Sequence, residues 1–148
     1  MEIRRAREEE IEPLTQLFIR ARNEMEYLPR VPDEAAVPIA ARLREHEEIW
    51  VAEEDGQLLG FLGIEHSTNL GASVLEKLYV EPAEQNRGIG SALLDKAKEL
   101  RSDELYLWVF QKNPARRLYE RHGFRLVKLT EGADNMEREP DALYLWAP

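Results

Sequence analysis

Apolar residues follow two rhythms along this chain, and the places where the rhythm changes divide it into elements. Ile11, Leu14, Leu17, Phe18, Ala21 and Met25 recur every three or four positions, which predicts an amphipathic helix over 8–26. Residues 1–6 read as a short strand before it, Glu8, Glu9 and Glu10 suit its positive end, and Pro29 and Pro32 close it. A second helical piece over 33–44 has Asp33 as its expected cap and Pro38 as an expected break or restart. From residue 49 the period shortens to that of strands. Residues 49–52 and 57–66 flank Asp55-Gly56, a pair that favours a tight hairpin, and the second run is apolar at nearly every position, as in a strand covered on both faces. Asn69-Leu70-Gly71 turns the chain into a third strand over 73–80, so the middle of the protein is expected to be an antiparallel meander.

The helical period returns over 88–101, where Ile89, Ala92, Leu93, Ala97 and Leu100 share a face. Residues 105–110 are rich in aromatic and branched side chains and predict a strand. Asn113-Pro114 has the form of a helix start and His122-Gly123 that of a helix stop. Strands over 124–129 and 142–146, separated by a polar loop, complete the reading, and there is no internal repeat.

Length and composition narrow the function classes. A chain of 148 residues with no long linker is expected to be one domain, 1–148, and 43% hydrophobic residues with 8 Gly and 8 Pro describe an ordinary globular protein. Without cysteine there is no disulfide framework, thiolate metal site or cysteine nucleophile. Twenty basic residues against 29 acidic give a net charge of −9, a field that repels phosphate backbones and anionic lipid, so neither nucleic acid nor membrane is expected as a partner. No apolar stretch is long enough to span a bilayer and the first residues do not resemble a signal peptide, so a cytoplasmic location is expected. His46, His66 and His122 lack the spacing of metal ligands, and no metal is expected. Trp50, Trp108 and Trp146 fall in strands and read as core or rim packing.

The chemistry concentrates in Leu78-Tyr79-Val80-Glu81-Pro82-Ala83-Glu84-Gln85-Asn86-Arg87-Gly88-Ile89-Gly90-Ser91, where a strand passes through a loop into a helix. Gly88 and Gly90 allow close approach to the backbone, and the free N–H groups of the first helical turn suit an anion; the same glycines also serve merely to start a helix. No Lys-Ser/Thr follows them as in a Walker loop, and no third glycine completes a dinucleotide fingerprint.

On these residues the chain resembles the GCN5-related N-acetyltransferase (GNAT) superfamily. Gln85-Asn86-Arg87-Gly88-Ile89-Gly90 fits its Gln/Arg-x-x-Gly-x-Gly/Ala signature, Leu78-Tyr79-Val80-Glu81-Pro82 fits the strand before it, and residues 113–124 fit a second family segment. The resemblance implies an α/β fold with a mixed, largely antiparallel sheet of six to seven strands and about four helices. It implies acetyl-coenzyme A as cosubstrate, with amides from Arg87 to Ser91 on the pyrophosphate and pantetheine along Leu78, Tyr79 and Val80. It further implies an amine acceptor that attacks directly, and a homodimer is common in the family. Six positions separate Asn113 from Tyr119 where the family's commoner form has seven, so Asn113 stands between a coenzyme A contact and a plain helix cap.

Tyr119 fits the family's general acid, since a phenol can protonate a departing thiolate; packing beside Leu118 and Phe124 is its other reading. Glu76, which alternation puts in the row of Leu78 and Val80, is the candidate base through water, with Glu65 in reserve and solvent or a purely solvated glutamate as the alternatives. Glu24, Glu26, Glu131, Asp134, Glu137 and Glu139 fall where the family places its acceptor, which favours a cationic amine. A coenzyme A sensor without turnover and a nucleotide-binding regulator are the competing classes.

Overall fold

The computed structural model describes residues 1–148. One sheet runs through the molecule in the order β1-β2-β3-β4-β5-β7-β6. Its strands are β1 (Glu2–Arg5), β2 (Glu48–Glu54), β3 (Gln57–Ser67), β4 (Ala72–Val80), β5 (Leu105–Phe110), β6 (Arg125–Leu129) and β7 (Asp141–Trp146). The helices are α1 (Ile11–Asn23), α2 (Ala36–His46), α3 (Ile89–Leu100) and α4 (Arg116–Arg121), with single 3-10 turns leading into α1 and α2. No helix is long and apolar enough to cross a membrane. Every strand pair is antiparallel except β4 with β5.

Helices cover both faces. Leu59, Leu62 and Ile64 of β3 pack into the core under α3 with Leu93, Leu94 and Ala97. Phe61, on the same strand, packs on the opposite face with Leu14 and Leu17 of α1 and Leu43 of α2. That double coverage is why β3 reads as an unbroken apolar run. The hairpin before it closes through Asp55 (φ 52°) and Gly56 (φ 80°), two consecutive left-handed residues as a two-residue turn between twisted strands requires.

Two local expectations are corrected. Pro38 does not break the second helix but stands just after its restart: a 3-10 turn over Asp33–Ala35 gives way to α2 at Ala36, and Pro38 is the third residue of α2, inside the first turn, where an N–H has no α-helical partner to lose. Asp33 does not cap that segment either, because the chain enters its 3-10 turn from extended Pro32 with no side-chain cap.

The feature that makes a site is a division in the middle of the sheet. β4 is paired with β3 at both ends and everywhere between except one residue, from Ala72 against Ser67 to Val80 against Gly60. With β5 it shares the single pair Val74–Tyr106. Two residues beyond that pair the β3–β4 register shifts, Lys77 facing Gly63 and Leu75 facing Ile64, so Glu76 has no partner. A bulge of this kind bends its strand and increases its twist. Beyond it the parallel strands diverge, and one backbone edge of Leu78–Val80 is left unpaired inside the sheet.

Candidate active site

The gap between the diverging strands opens into a cleft of about 670 Å³. Leu75, Glu76 and Leu78–Val80 of β4 form one wall and Leu107–Phe110 of β5 the other. Ala21 and Met25 close one end, the loop from Glu84 into the first turn of α3 closes the other, and Asn113–Ala115, Leu118, Tyr119 and Arg121 lie across the top.

The α3 end is built from backbone. Asn86 (φ 66°) and Gly88 (φ 79°) are both left-handed, and Gly88 is the N-terminal cap of α3 with no side-chain hydrogen bond of its own. Ala92 is the first residue of this turn whose N–H meets a helical carbonyl, that of Gly88 at 3.1 Å. The amides of Ile89, Gly90 and Ser91 therefore lack a preceding turn to donate to, and they carry the positive end of the helix dipole. A Cβ at Gly90 would sit 3.6 Å from Leu118 and 3.9 Å from Val80, so a longer side chain there would extend between two cleft-lining residues.

Arg87 is the signature residue that turns its side chain elsewhere. Its guanidinium binds Glu84 at 2.6 Å and Glu54 at 2.9 Å, and it does not line the cleft, whereas Gln85, Asn86, Gly88, Ile89, Gly90 and Ser91 do. This pairing neutralises Glu84, a carboxylate that lines the cleft. Asn113 makes a side-chain turn as well as lining the cleft: its Oδ1 accepts the N–H of Ala115, the residue before α4, at 2.9 Å.

The middle of the cleft is built from side chains. Tyr119 is 8% exposed, with its ring edge-on to Phe124 at a centroid distance of 6.0 Å. Its hydroxyl bonds to no protein atom and is not sealed from solvent. Burial, followed by the nearby Tyr79, holds the phenol's pKa above its usual range, so it keeps its proton at working pH. Tyr79 itself is pushed up to about 12, chiefly by burial. Core packing and a cleft-facing hydroxyl are thus two properties of one residue at position 119.

Glu76 lines the same cleft from its unpaired position, so it belongs to the bulge and not to a regular row. Its side chain remains exposed at the cleft, and partial desolvation by the neighbouring walls, followed by the charge of Glu65, raises its carboxyl pKa. The charges of Lys77 and Arg42 offset this only in part, and Lys77 is itself paired with Glu47 at 2.6 Å. Glu65 is held by Arg42 at 2.7 Å and is not part of the cleft lining.

The acidic residues expected at the acceptor end divide into two sets. Glu137 pairs with Arg22 at 3.0 Å and Glu139 with Lys112 at 3.7 Å, while Glu24, Glu26, Glu131 and Asp134 are exposed without an ion pair. None of the six lines the cleft. Two features of the site region, one of them in the cleft lining, escaped the sequence reading. Trp108, 41% exposed, and Phe110 form the β5 wall; a large aromatic on the exposed row of a strand was the available signal. His122 joins α4 to α3, with Nε2 3.3 Å from Ser91 Oγ and Nδ1 3.2 Å from Asp95. Nothing in the spacing of residues 91, 95 and 122 announces that contact.

A family description, the acetyltransferase (GNAT) domain, matches residues 45–126, which hold the meander, the α3 loop and α4. The chain belongs to the GNAT acetyltransferase family. It is 43% identical over 79 residues to the peptidyl-lysine N-acetyltransferase YiaC of Escherichia coli, covering 53% of this chain and 50% of that protein. It is 37% identical over 82 residues to the uncharacterized N-acetyltransferase YafP of the same organism, covering 55% of this chain and 48% of that one. The matched region thus spans about half the length of each curated relative. In structure it is similar to the PaiA N-acetyltransferase of Thermoplasma acidophilum, solved with coenzyme A, with a TM-score of 0.73, 20% identity and coverage of 99% of this chain and 98% of that one. Likeness at that identity concerns the fold, and the GNAT fold of a seven-stranded mixed sheet with four helices is what the chain has.

Proposed function

We propose that this chain is an enzyme that transfers the acetyl group of acetyl-coenzyme A to a primary amine by direct attack. One observation carries the reading: the unpaired edge of β4 runs from the free amides of α3 to Glu76 and Tyr119, so an anion site, a strand-like groove and an acid–base pair lie in one cleft. The amides of Gly88–Ser91 hold the pyrophosphate, and Leu78–Val80 pair with the pantetheine amides as a strand would. Asn113, its oxygen committed to the Ala115 N–H, serves the site by fixing the turn that leads into α4.

Glu76 takes the proton of the acceptor's ammonium through water, which makes the neutral amine available for attack. The new C–N bond forms at the thioester carbon as the C–S bond breaks. Tyr119 gives its proton to the departing sulfur, the second proton of the attacking nitrogen leaves to solvent as the amide forms, and solvent returns one to Tyr119 and takes the one held by Glu76, so a turnover releases one proton net. Binding both reactants in line supplies much of the rate without a covalent enzyme intermediate. Glu76 in the cleft, with Glu24 and Glu26 exposed near Met25, favours a cationic acceptor, and the name of the YiaC relative makes a peptide lysine the first amine to try. A cytoplasmic location belongs to the same proposal.

Thiol release from acetyl-coenzyme A, measured with a panel of small amines and lysine peptides, tests it. Amine-dependent release together with an acetylated product is the expected result. Saturable coenzyme A binding without release across the panel would overturn the reading in favour of a sensor module.

A further inference from the structure

The face of the sheet under α1 and α2 holds a charged pair that takes no part in the chemistry above. Glu47, in the link between α2 and β2, has a fully buried side chain, and its Oε2 accepts a hydrogen bond from Lys77 Nζ at 2.6 Å. Its other oxygen, Oε1, is sealed from solvent and bonds to nothing. The carboxylate lies over Gly63, where any Cβ would collide with Oε1, so the niche exists because β3 carries a glycine there. Lys77 stands opposite Gly63 in the ladder, with Nζ 5.5 Å from the ring centre of Phe18. Such a pair adds little to stability: removing two charges from water costs about what their attraction returns, and the orphaned oxygen adds to that cost. What a buried pair can fix is register. Leu75 and Lys77 are two residues apart, so a regular strand would put them on one face. Here Leu75 packs in the core under α3, while Lys77 reaches Glu47 and Phe18 on the opposite face. Both placements require one extra residue between them, and that residue is Glu76. Continued from the Lys77–Gly63 pair without a skip, the ladder would set Glu76 against Ile64 and turn Leu75 out of its core.

We propose that Glu47 and Lys77 are positioning residues for proton removal: their ion pair, opposed by Leu75 on the other face, pins the bulge that holds the Glu76 carboxylate in the cleft. The inference rests on the reading of Glu76 as the base. Neither Glu47 nor Lys77 lines the cleft, so an effect of either on turnover passes through Glu76. Their charges act on the Glu76 carboxyl in opposite senses, Lys77 favouring its ionised form and Glu47 opposing it. Removing both together therefore leaves mainly the geometric effect.

The test replaces the pair by apolar side chains of similar length, Glu47→Met with Lys77→Met, in the full chain. The double variant should fold with a Tm at or above that of the parent, since well-packed apolar residues commonly replace a buried ion pair without loss. Its turnover near neutral pH should nevertheless fall by about 10- to 100-fold, the scale of an ångström-sized misplacement of a reacting group. The KM for acetyl-coenzyme A should stay within about twofold, and the pH–rate profile should lose the ionisation that Glu76→Gln also removes. Adding Glu76→Gln to the double variant should cost no more than about a further twofold, because the two changes disable one step. Parent-like turnover and pH–rate profile in the folded double variant, or the full cost of Glu76→Gln on top of it, overturns the pin alone. Should the double variant not fold, Glu47→Asp decides the matter: it keeps both charges, withdraws the carboxylate from Gly63, and should lower kcat with the same change of profile. Parent-like kcat and profile in that variant overturn the inference. A parent-like profile for Glu76→Gln itself overturns the reading of Glu76 as the base, and the pin with it.

Discussion

The two working regions of the cleft hold their groups by different means. At the α3 end the ligand-facing groups are main-chain amides, fixed by two left-handed residues, and the arginine of the signature points away from them. In the middle they are the side chains of Glu76 and Tyr119, carried by elements far apart in sequence and aimed by a bulge and by core packing. A backbone-built site fails when something fills it, and tolerates loss of the side chains around it. A side-chain-built site fails when a single functional group is removed, even if its shape is kept.

The largest expected effect fills the backbone end. Gly90→Glu directs a carboxylate between Leu118 and Val80, into the space in front of the free amides, and should abolish measurable acetyl-coenzyme A binding by calorimetry. The helix should still form, because ordinary contacts surround that Cβ and circular dichroism can confirm it. Retained affinity in a folded variant would remove the pyrophosphate from this loop.

Next in size is Tyr119→Phe, which keeps the ring against Phe124 and removes only the hydroxyl. Loss of a positioned general acid costs about 10²–10⁴ in turnover, and the lower end is expected because a thiolate leaves readily. Affinity for acetyl-coenzyme A should stay within about twofold of the parent, so the loss falls in kcat. Parent-like turnover with chemistry rate-limiting would leave Tyr119 a packing residue alone.

Glu76→Gln should act through pH. The carboxyl pKa is raised, so the base is ionised only above the usual carboxylate range, and parental activity should rise as pH climbs through it. The variant should lose that ionisation from its pH–rate profile, with a deficit greatest near neutrality that shrinks where the amine is already free. Stability moves the other way. A raised pKa in the folded chain means that stability falls as pH climbs from the unfolded carboxyl value to the folded one and stays lower above it; the side chain is exposed, so Glu76→Gln should raise the Tm only slightly at neutral pH and leave it unchanged in acid. Superimposable pH–rate profiles would assign proton removal to solvent.

Smallest is Arg87→Ala. No loss of direct contact is expected, but Glu84 would be released beside the anion site, weakening coenzyme A by about two- to fivefold at low salt, the scale of exposed ion pairs. Adding Glu84→Gln should restore the affinity. A larger loss that the second change does not restore would put the guanidinium itself on the ligand.

These outcomes separate what could be read from the chain and what could not. Element positions followed from local rules: helical period for α1 and α3, double-sided burial for β3, left-handed turn residues at Asp55, Gly56 and Gly88. The loop before α3 was legible for the same reason, since a backbone conformation is written into the residues that adopt it. Pro38 shows where local reasoning overreached, because the cost of proline depends on which turn of the helix it occupies. Side-chain destinations were not legible. The alternation of residues 75–80 gives no sign that the β3 ladder skips Glu76, and nothing in the signature says that Arg87 turns to Glu84 and Glu54. The parting of β4 from β5 after one pair, which creates the cleft, is a relation between segments about thirty residues apart. By itself the sequence determined the backbone conformations and the inventory of groups able to do chemistry. Tertiary structure decided which of those groups share a cavity, because register, bulges and ion-pair choice depend on partners that only the folded chain brings within reach.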